Sequence, residues 1–443
     1  MTRPSAGRPL WDAVTASPAA EPPATPAAPA RVRGVLDADV TVVGAGLAGL
    51  STAYHLAAHD PGRSVLVVDA EGPAAGASGR GTGLLGPRVG PSVDQAVRRF
   101  GPDTARRMYA ASTAAVERVR ELSAELGVDT GPRDAAQVVA TRTAAGLASL
   151  ARQAAAYREL GLDVPVLSAA EIGALVEVPR HAGLRYRAAT LDPAELSRAL
   201  AAACAAKGVR FLGNSPLRAV RAETSGGVRL VFPGGTVRSR KAVLAVNAAA
   251  GSLGLPVGTV LPLSVHAVAT APLPADVQRA LGGDTRCALI DAHPLGDYFR
   301  LTPDGRLVFG GGRPVLAPVS DGSAATAVWA GLEQRLRRLH PALARAEVTH
   351  RWAGRIGMTG DDLPVVGPLA GLPDVWYIGG CCGHGLAMSV AHGAHVAEVL
   401  CGGSPELLPW HRSRAPKLPL PAPVRPLLRA GLSRMARAAR REA

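Results

Sequence analysis

The chain has 443 residues, 47% hydrophobic and 19% charged, which allows two or three domains with ample core and excludes a fibrous or low-complexity protein. A formal net charge of +14 invites a nucleic-acid reading, but lysine occurs only at Lys207, Lys241 and Lys417, and segment 411–443 alone sets nine basic residues against Glu442. With no RNA-binding or zinc-finger motif, no nucleic-acid partner is expected. The five cysteines, Cys204, Cys287, Cys381, Cys382 and Cys401, follow neither disulfide nor metal spacing, so a reducing, cytoplasmic setting and no metal are expected.

In chain order, the start lacks the apolar region of a secretory signal. Residues 15–30 are almost entirely Ala and Pro, which cannot build a core, so 1–35 reads as a disordered lead-in. Within it Pro9-Leu10-Trp11 either docks on the body or stays solvated. The globular part is expected from about Leu36.

Residues 39–69 carry the strongest local signal. A short apolar run at 40–43 reads as a strand buried on both faces, and Gly44, Gly46 and Gly49 follow at GxGxxG spacing. A helix over 47–58 comes next, with Ala48 among its small packing residues, and then a second buried strand at 65–68 ending in Asp69. The first glycine makes a tight turn, the second lets backbone approach a pyrophosphate, and the third lets helix meet strand. The helix N-terminus faces phosphate, and the acid accepts from a ribose hydroxyl. This predicts a dinucleotide site; Asp69 argues against NADP but leaves FAD and NAD open.

The following run, Gly76-Ala77-Ser78-Gly79-Arg80-Gly81-Thr82-Gly83, is either a flexible surface loop or a close approach of backbone to something bulky, with Ser78 and Arg80 placed for phosphate or ring atoms. Helices are predicted over 104–126, 144–160, 194–207 (after Asp192-Pro193), 327–339 and 386–400. Strands are predicted at 209–212, 217–222, 228–232, 242–246, 260–270, 298–301, 307–311 and 375–378. The stretch 375–397 lacks Asp, Glu, Lys and Arg and is long enough to span a bilayer. Its glycines and three histidines argue instead for a buried strand–loop–helix and a soluble chain. That unit is a second glycine loop opening into a helix, whose N-terminus suits the edge of a flavin that becomes anionic on reduction. The two loops together point to FAD.

Several further stretches stand in a familiar order: LDPAEL from Leu191, AVLAVNA from Ala242, LPLSVHAVATAPL from Leu261, YFRLTPDGRLVFGGG from Tyr298, RWAG from Arg351 and IGGCCGHGLAMSVAHG from Ile378. With Trp11, the segment from Ala38 and GASGR at 76–80, they make the chain similar to the FAD-dependent amine and amino-acid oxidases of the D-amino-acid oxidase superfamily. Within it the chain resembles the γ-glutamylputrescine oxidase-like subgroup. The resemblance implies an α/β fold, a Rossmann-like FAD-binding domain (36–100 with 188–255 and 346–410) interleaved with an α+β substrate domain (101–187 with 256–345) carrying a mostly antiparallel sheet, then a basic tail, 411–443.

It also implies a cofactor site. Val43, Gly44, Ala45, Gly46, Leu47, Ala48, Asp69 and Ala70 hold the ADP half, and Leu217 contacts adenine through its backbone. Gly76, Ala77, Ser78, Gly79 and Arg80 follow the pyrophosphate and flavin edge, with Ala245 and Asn247 beside them. Gly380, Gly383, His384, Gly385, Leu386 and Ala387 face the flavin O2 side. The subgroup's SGRNGG is altered here, lacking its Asn. The covalent cysteine of monomeric sarcosine oxidases falls near Gly354, so non-covalent FAD is expected. Those enzymes' carboxylate lysine falls near Ala387 and their loop arginine near Gly86, two residues before Arg88.

The family reaction moves a hydride from the carbon beside an amine nitrogen to flavin N5, and the imine is hydrolysed, with O2 as acceptor. The alternatives are a dehydrogenase with another acceptor and a protein whose flavin is structural. Tyr298 and Arg300 read either as amine- and anion-binding groups or as a sheet tyrosine and an interdomain ion pair. Arg88 reads as a carboxylate clamp or a surface arginine, and His266 as a site group or a core histidine. Cys381-Cys382 reads as a redox pair or as small packing residues. Leu428, Leu432 and Met435 form an apolar stripe on the tail.

Overall fold

A computed structural model describes residues 9–11, 30–128, 133–293, 296–312 and 323–417. The tail stripe and most of the lead-in lie outside the described residues.

The strands are β1 (Gly34–Val43), β2 (Val65–Val68), β3 (Leu84–Leu85), β4 (Arg133–Thr141), β5 (Val166–Ser168), β6 (Ala182–Thr190), β7 (Arg210–Leu212), β8 (Ala219–Ala222), β9 (Val228–Phe232), β10 (Gly235–Leu244), β11 (Leu261–Pro272), β12 (Cys287–Asp291), β13 (Tyr298–Leu301), β14 (Arg306–Gly310), β15 (Val348–Met358), β16 (Val365–Leu369) and β17 (Leu372–Gly379). The helices are α1 (Leu47–His59), α2 (Val93–Phe100), α3 (Pro102–Glu125), α4 (Ala144–Glu159), α5 (Ala169–Leu175), α6 (Pro193–Ala206), α7 (Ala275–Ala280), α8 (Ser323–Leu339) and α9 (Gly385–Leu400).

Two sheets organise the chain. The first runs β16-β17-β10-β1-β2-β7, with β9 on β10 and β8 on β9. Strands β17, β10, β1, β2 and β7 pair in parallel. The core of this sheet is continuous Val, Ile and Leu because helices cover one face and the β8–β9 segment the other. The second sheet runs β15-β11-β14-β13-β12-β4-β6-β3, with β5 on β6. There β12 and β4 pair in parallel and the other neighbours antiparallel. Its Phe299, Leu307, Phe309 and Val268 pack with Trp329 and Leu332 of α8.

Local chemistry sets the element ends. Asp192 Oδ1 accepts from Ala194 N (2.8 Å) and Glu195 N (3.1 Å), and Pro193 occupies the first helical position, so α6 starts where it does. Gly393 on α9 has Ala48 O and Ser51 against it, which lets α9 cross α1 closely, and Ser51 Oγ donates to Val390 O at 2.7 Å.

Three sequence expectations change. First, Leu10 and Trp11 are buried, at 0% and 2% exposure, against Ala194, Ala267, Val308 and Trp352, so docking wins over solvation there. The body also begins by Val32, whose N–H donates to Ser215 Oγ (3.0 Å), so 30–35 belongs to the fold and not to a disordered lead-in. Second, β15, assigned with the first-sheet segments from residue 346, pairs with β11 along its whole length in the second sheet. Third, the strands β3, β4, β5, β6, β12, β15 and β16 and the helices α2, α5 and α7 had not been predicted. No helix among the described residues is long and apolar enough to cross a membrane, and 375–397 forms the end of β17, a glycine loop and α9.

Candidate functional site

Parallel pairing brings the ends of β1, β2, β10 and β17 to one edge of the first sheet: Val43 stands beside Val68 and Leu244, and Leu244 beside Tyr377. The loops leaving that edge are Gly44–Gly46, Asp69–Ala70, Ala245–Asn247 and Gly380–His384. This is the edge at which parallel α/β sheets bind ligands.

The first loop fits a bound pyrophosphate. Gly44 has φ +110°, and a Cβ there would come within 2.6 Å of Ala245 O; a Cβ on Gly49 would overlap Gly44 O. α1 has no cap from its own N-cap residue, Gly46. Ser78 reaches in from the next loop, and its Oγ accepts from Leu47 N at 2.9 Å. Asp69 accepts from Ala45 N with Oδ2 (2.7 Å) and from Glu71 N with Oδ1 (2.8 Å), so the acid fixes the turn as well as standing at the strand end. Leu217 is buried on the other side of β2, among Val68, Leu230 and Leu244.

At the second loop, Asn247, itself at φ +40°, accepts from Gly380 N with Oδ1 (2.9 Å), while Tyr377 OH donates to its carbonyl (2.8 Å). Asn247 therefore shapes the glycine loop rather than pointing into the space in front of it. Gly383, at φ +86°, has nothing within 4 Å of its missing Cβ, and α9 begins at His384 without a side-chain cap. A flat group has room there, facing unpaired helix N–H groups. Burial, with the Arg88 charge behind it, pushes His384 down to about 3, so its imidazole is neutral. Cys381 Sγ lies 3.9 Å from Ser389 Oγ, Cys382 Sγ lies 3.4 Å from Thr359 Oγ1, and both are free thiols. Burial holds Cys381 up at about 12, which favours packing over a redox pair.

The loop 76–83 runs between the sheets. Arg80 Nε donates to Ala75 O (3.1 Å) and Nη1 to Ala353 O (3.2 Å). Gly354 sits on Arg80, with 3.3 Å between a would-be Cβ and Arg80 Cβ. Tyr298 lies on Gly310, and burial raises its hydroxyl to about 12, so the phenol is neutral.

Arg300 is a correction. It is 2% exposed, and its guanidinium donates to Thr82 O (2.6 Å), Leu301 O (3.2 Å) and Leu191 O (2.9 Å). Three carbonyls absorb the donors that a substrate anion would need. His266 takes the core reading of its two. It points to the opposite face of β11 from Ala267 and stacks edge-on against Trp329 (5.8 Å) in the core behind the second sheet, away from the glycine loops.

Arg88 is exposed, and among the described residues it has no ion pair. Burial raises Tyr157 and Tyr186 and lowers His384, and the Arg88 charge opposes burial at the two tyrosines and adds to it at His384. Tyr157 and Tyr186 share a hydroxyl contact of 3.3 Å, and Tyr109 packs edge-on against Tyr157 at 5.3 Å. Gln137 presses on Gly86, and its buried Oε1 has no partner. The sequence reading had not singled out Tyr109, Tyr157, Tyr186 or Gln137. Tyr186 and Gln137 are register partners on β6 and β4, and the alternation of Leu184, Tyr186 and Ala188 with arginines was the available signal.

Residues 39–399 match the profile of the DAO family, described as FAD dependent oxidoreductase. The chain is 30% identical over 369 residues to gamma-glutamylputrescine oxidoreductase of Escherichia coli (strain K12), covering 82% of this chain and 84% of that protein. It is 26% identical to a probable oxidoreductase OrdL of Haemophilus influenzae, over 86% and 87% of the two chains. Among solved structures, glycine oxidase from Geobacillus kaustophilus superposes with TM-score 0.71 at 23% identity, covering 86% of this chain and 99% of that one.

Proposed function

The chain belongs to the DAO family of FAD-dependent oxidoreductases, and from that premise we propose that it oxidises the C–N bond of an amine or amino acid that carries an anionic group, with O2 as acceptor. The observation that carries the substrate class is Arg88: an exposed guanidinium whose charge acts on His384 of the second glycine loop and on the phenols of Tyr157 and Tyr186, with no acid on it among the described residues. A carboxylate on Arg88 gains a charge-assisted, bidentate pair. The neighbouring tyrosines supply apolar walls and hydroxyl donors.

Gly44–Leu47 and Asp69 would hold the ADP half, Ser78–Arg80 the middle of the cofactor, and Gly383–Ala387 the flavin's N1–C2=O edge. FAD, when bound, supplies the hydride acceptor. The chain's own residues hold the amine over it, with Arg88 taking the anion and Tyr298 presenting a neutral hydroxyl from the second sheet. His384, neutral and half-buried, does not compete with Arg88 for the anion. The position of the covalent cysteine in monomeric sarcosine oxidases is Gly354 here, which supports non-covalent FAD.

The test is an anaerobic panel of amines and amino acids, with and without a carboxylate, followed by loss of flavin absorbance. Bleaching by carboxylate-bearing amines and fast recovery on admitting air is the expected result. Recovery only with a quinone or dye assigns a dehydrogenase instead, and no bleaching with any amine overturns the reading.

A further inference from the structure

The main chain of the cofactor loop is clamped at four successive carbonyls. Trp352 Nε1 donates to Arg80 O (3.0 Å), Trp11 Nε1 to Gly81 O (2.8 Å), Arg300 Nε to Thr82 O (2.6 Å) and Leu191 N to Gly83 O (3.1 Å). In a trans peptide the N–H points opposite to its carbonyl. Fixing these oxygens therefore turns the N–H groups of Gly81, Thr82 and Gly83 to the other side of the loop. The N–H groups of Thr82 and Gly83 have no acceptor among the described residues. On the clamped side there is no room left: a Cβ on Gly83 would overlap Leu191 O and the Arg300 guanidinium.

The clamps touch one another. The Arg300 guanidinium lies 5.1 Å over the Trp11 ring, and Trp11 shares one buried cluster with Trp352, Leu10, Ala267 and Val308. Arg198 Nη2 in turn donates to Trp11 O (3.2 Å). Trp352 and Arg300 stand on strands of the second sheet. Trp11 alone comes from the far N-terminal end of the chain, ahead of the first strand.

We infer that Trp11 is a positioning residue for the cofactor: its indole N–H sets the orientation of the Gly81–Thr82 peptide, so that the loop presents a row of N–H donors to the anionic and carbonyl edges of bound FAD. The inference rests on the FAD assignment above. A purely space-filling role for the ring makes a different forecast, because phenylalanine fills most of the same volume without the donor.

The experiment uses the full-length chain, stripped of FAD and reconstituted, with the dissociation constant read from quenching of FAD fluorescence and the fine structure of the visible flavin band recorded alongside. Trp11→Phe is expected to weaken FAD roughly fivefold, the worth of one neutral hydrogen bond, and to blur the band, with the melting temperature of the stripped protein within about 2 °C of the parent. Trp11→Ala is expected to weaken FAD further and to lower the melting temperature as well. Trp11→Phe binding FAD as tightly as the parent, with an unchanged band, overturns the positioning role and leaves packing. A parent chain that binds no FAD at all overturns the cofactor assignment with it, so the two failures are distinguishable.

Discussion

Arg88 and Arg300 are both arginines next to the cofactor loops, and their surroundings separate their roles. Arg300 is buried with its donors consumed, and burial lowers it to about 10; Arg88 is exposed and uncommitted. Arg88→Ala is therefore expected to raise KM for carboxylate-bearing amines about 10- to 100-fold, the loss of one charge-assisted pair, while an amine without an anion is turned over as before. Steady-state kinetics on a matched substrate pair checks this. Arg300→Met should instead show as a loss of stability, about 2–3 kcal/mol in urea unfolding, since it leaves buried carbonyls without donors. Sequence alone left both arginines with two readings. What distinguishes them is where Thr82 and Leu191 fall, more than a hundred residues away from Arg300, which no local pattern reports.

At the scale of elements, unbroken apolar runs were legible, and so were the partly buried β8 and β9. β2, with four fully buried residues, matched its apolar run to the residue. β4 and β6 were missed because their buried positions mix alanine and glycine with Val138, Leu184 and Tyr186, a faint alternation that pairing in the sheet makes sufficient. The start of α9 was legible from its glycines, but its fit onto α1 depends on Gly393 meeting Ala48 and Ser51, a contact that sequence spacing does not announce. Gly393→Val should force the two helices apart and cost about 1–3 kcal/mol, and because both helices open at the ligand edge, FAD retention after gel filtration should fall with it.

Over the whole molecule, buried histidines couple stability to pH. His384 and His392 are both held down to about 3 by burial, and His392 has neither ring nitrogen bonded. Unfolded, each takes up a proton below its ordinary value near 6.5. The folded state does not, so their effect is absent above that pH and grows as pH falls toward 3. Each histidine tilts stability by up to about 1.4 kcal/mol per pH unit across that window. Urea midpoints for the FAD-free protein should hold steady from pH 8 to 7 and drop between 6 and 5, and His392→Phe should flatten the drop.

The clamp on the cofactor loop also has a consequence in time. Trp11 leaves the ribosome well before Arg300, which lies over its ring, and Trp352, which shares its cluster. At roughly 5–20 residues per second that gap is tens of seconds. A nascent chain therefore carries the Gly44–Gly49 turn early but a loosely held 80–83 loop until most of the chain is made. Stalled chains ending before β15 should release FAD readily, and chains released from the ribosome should keep it.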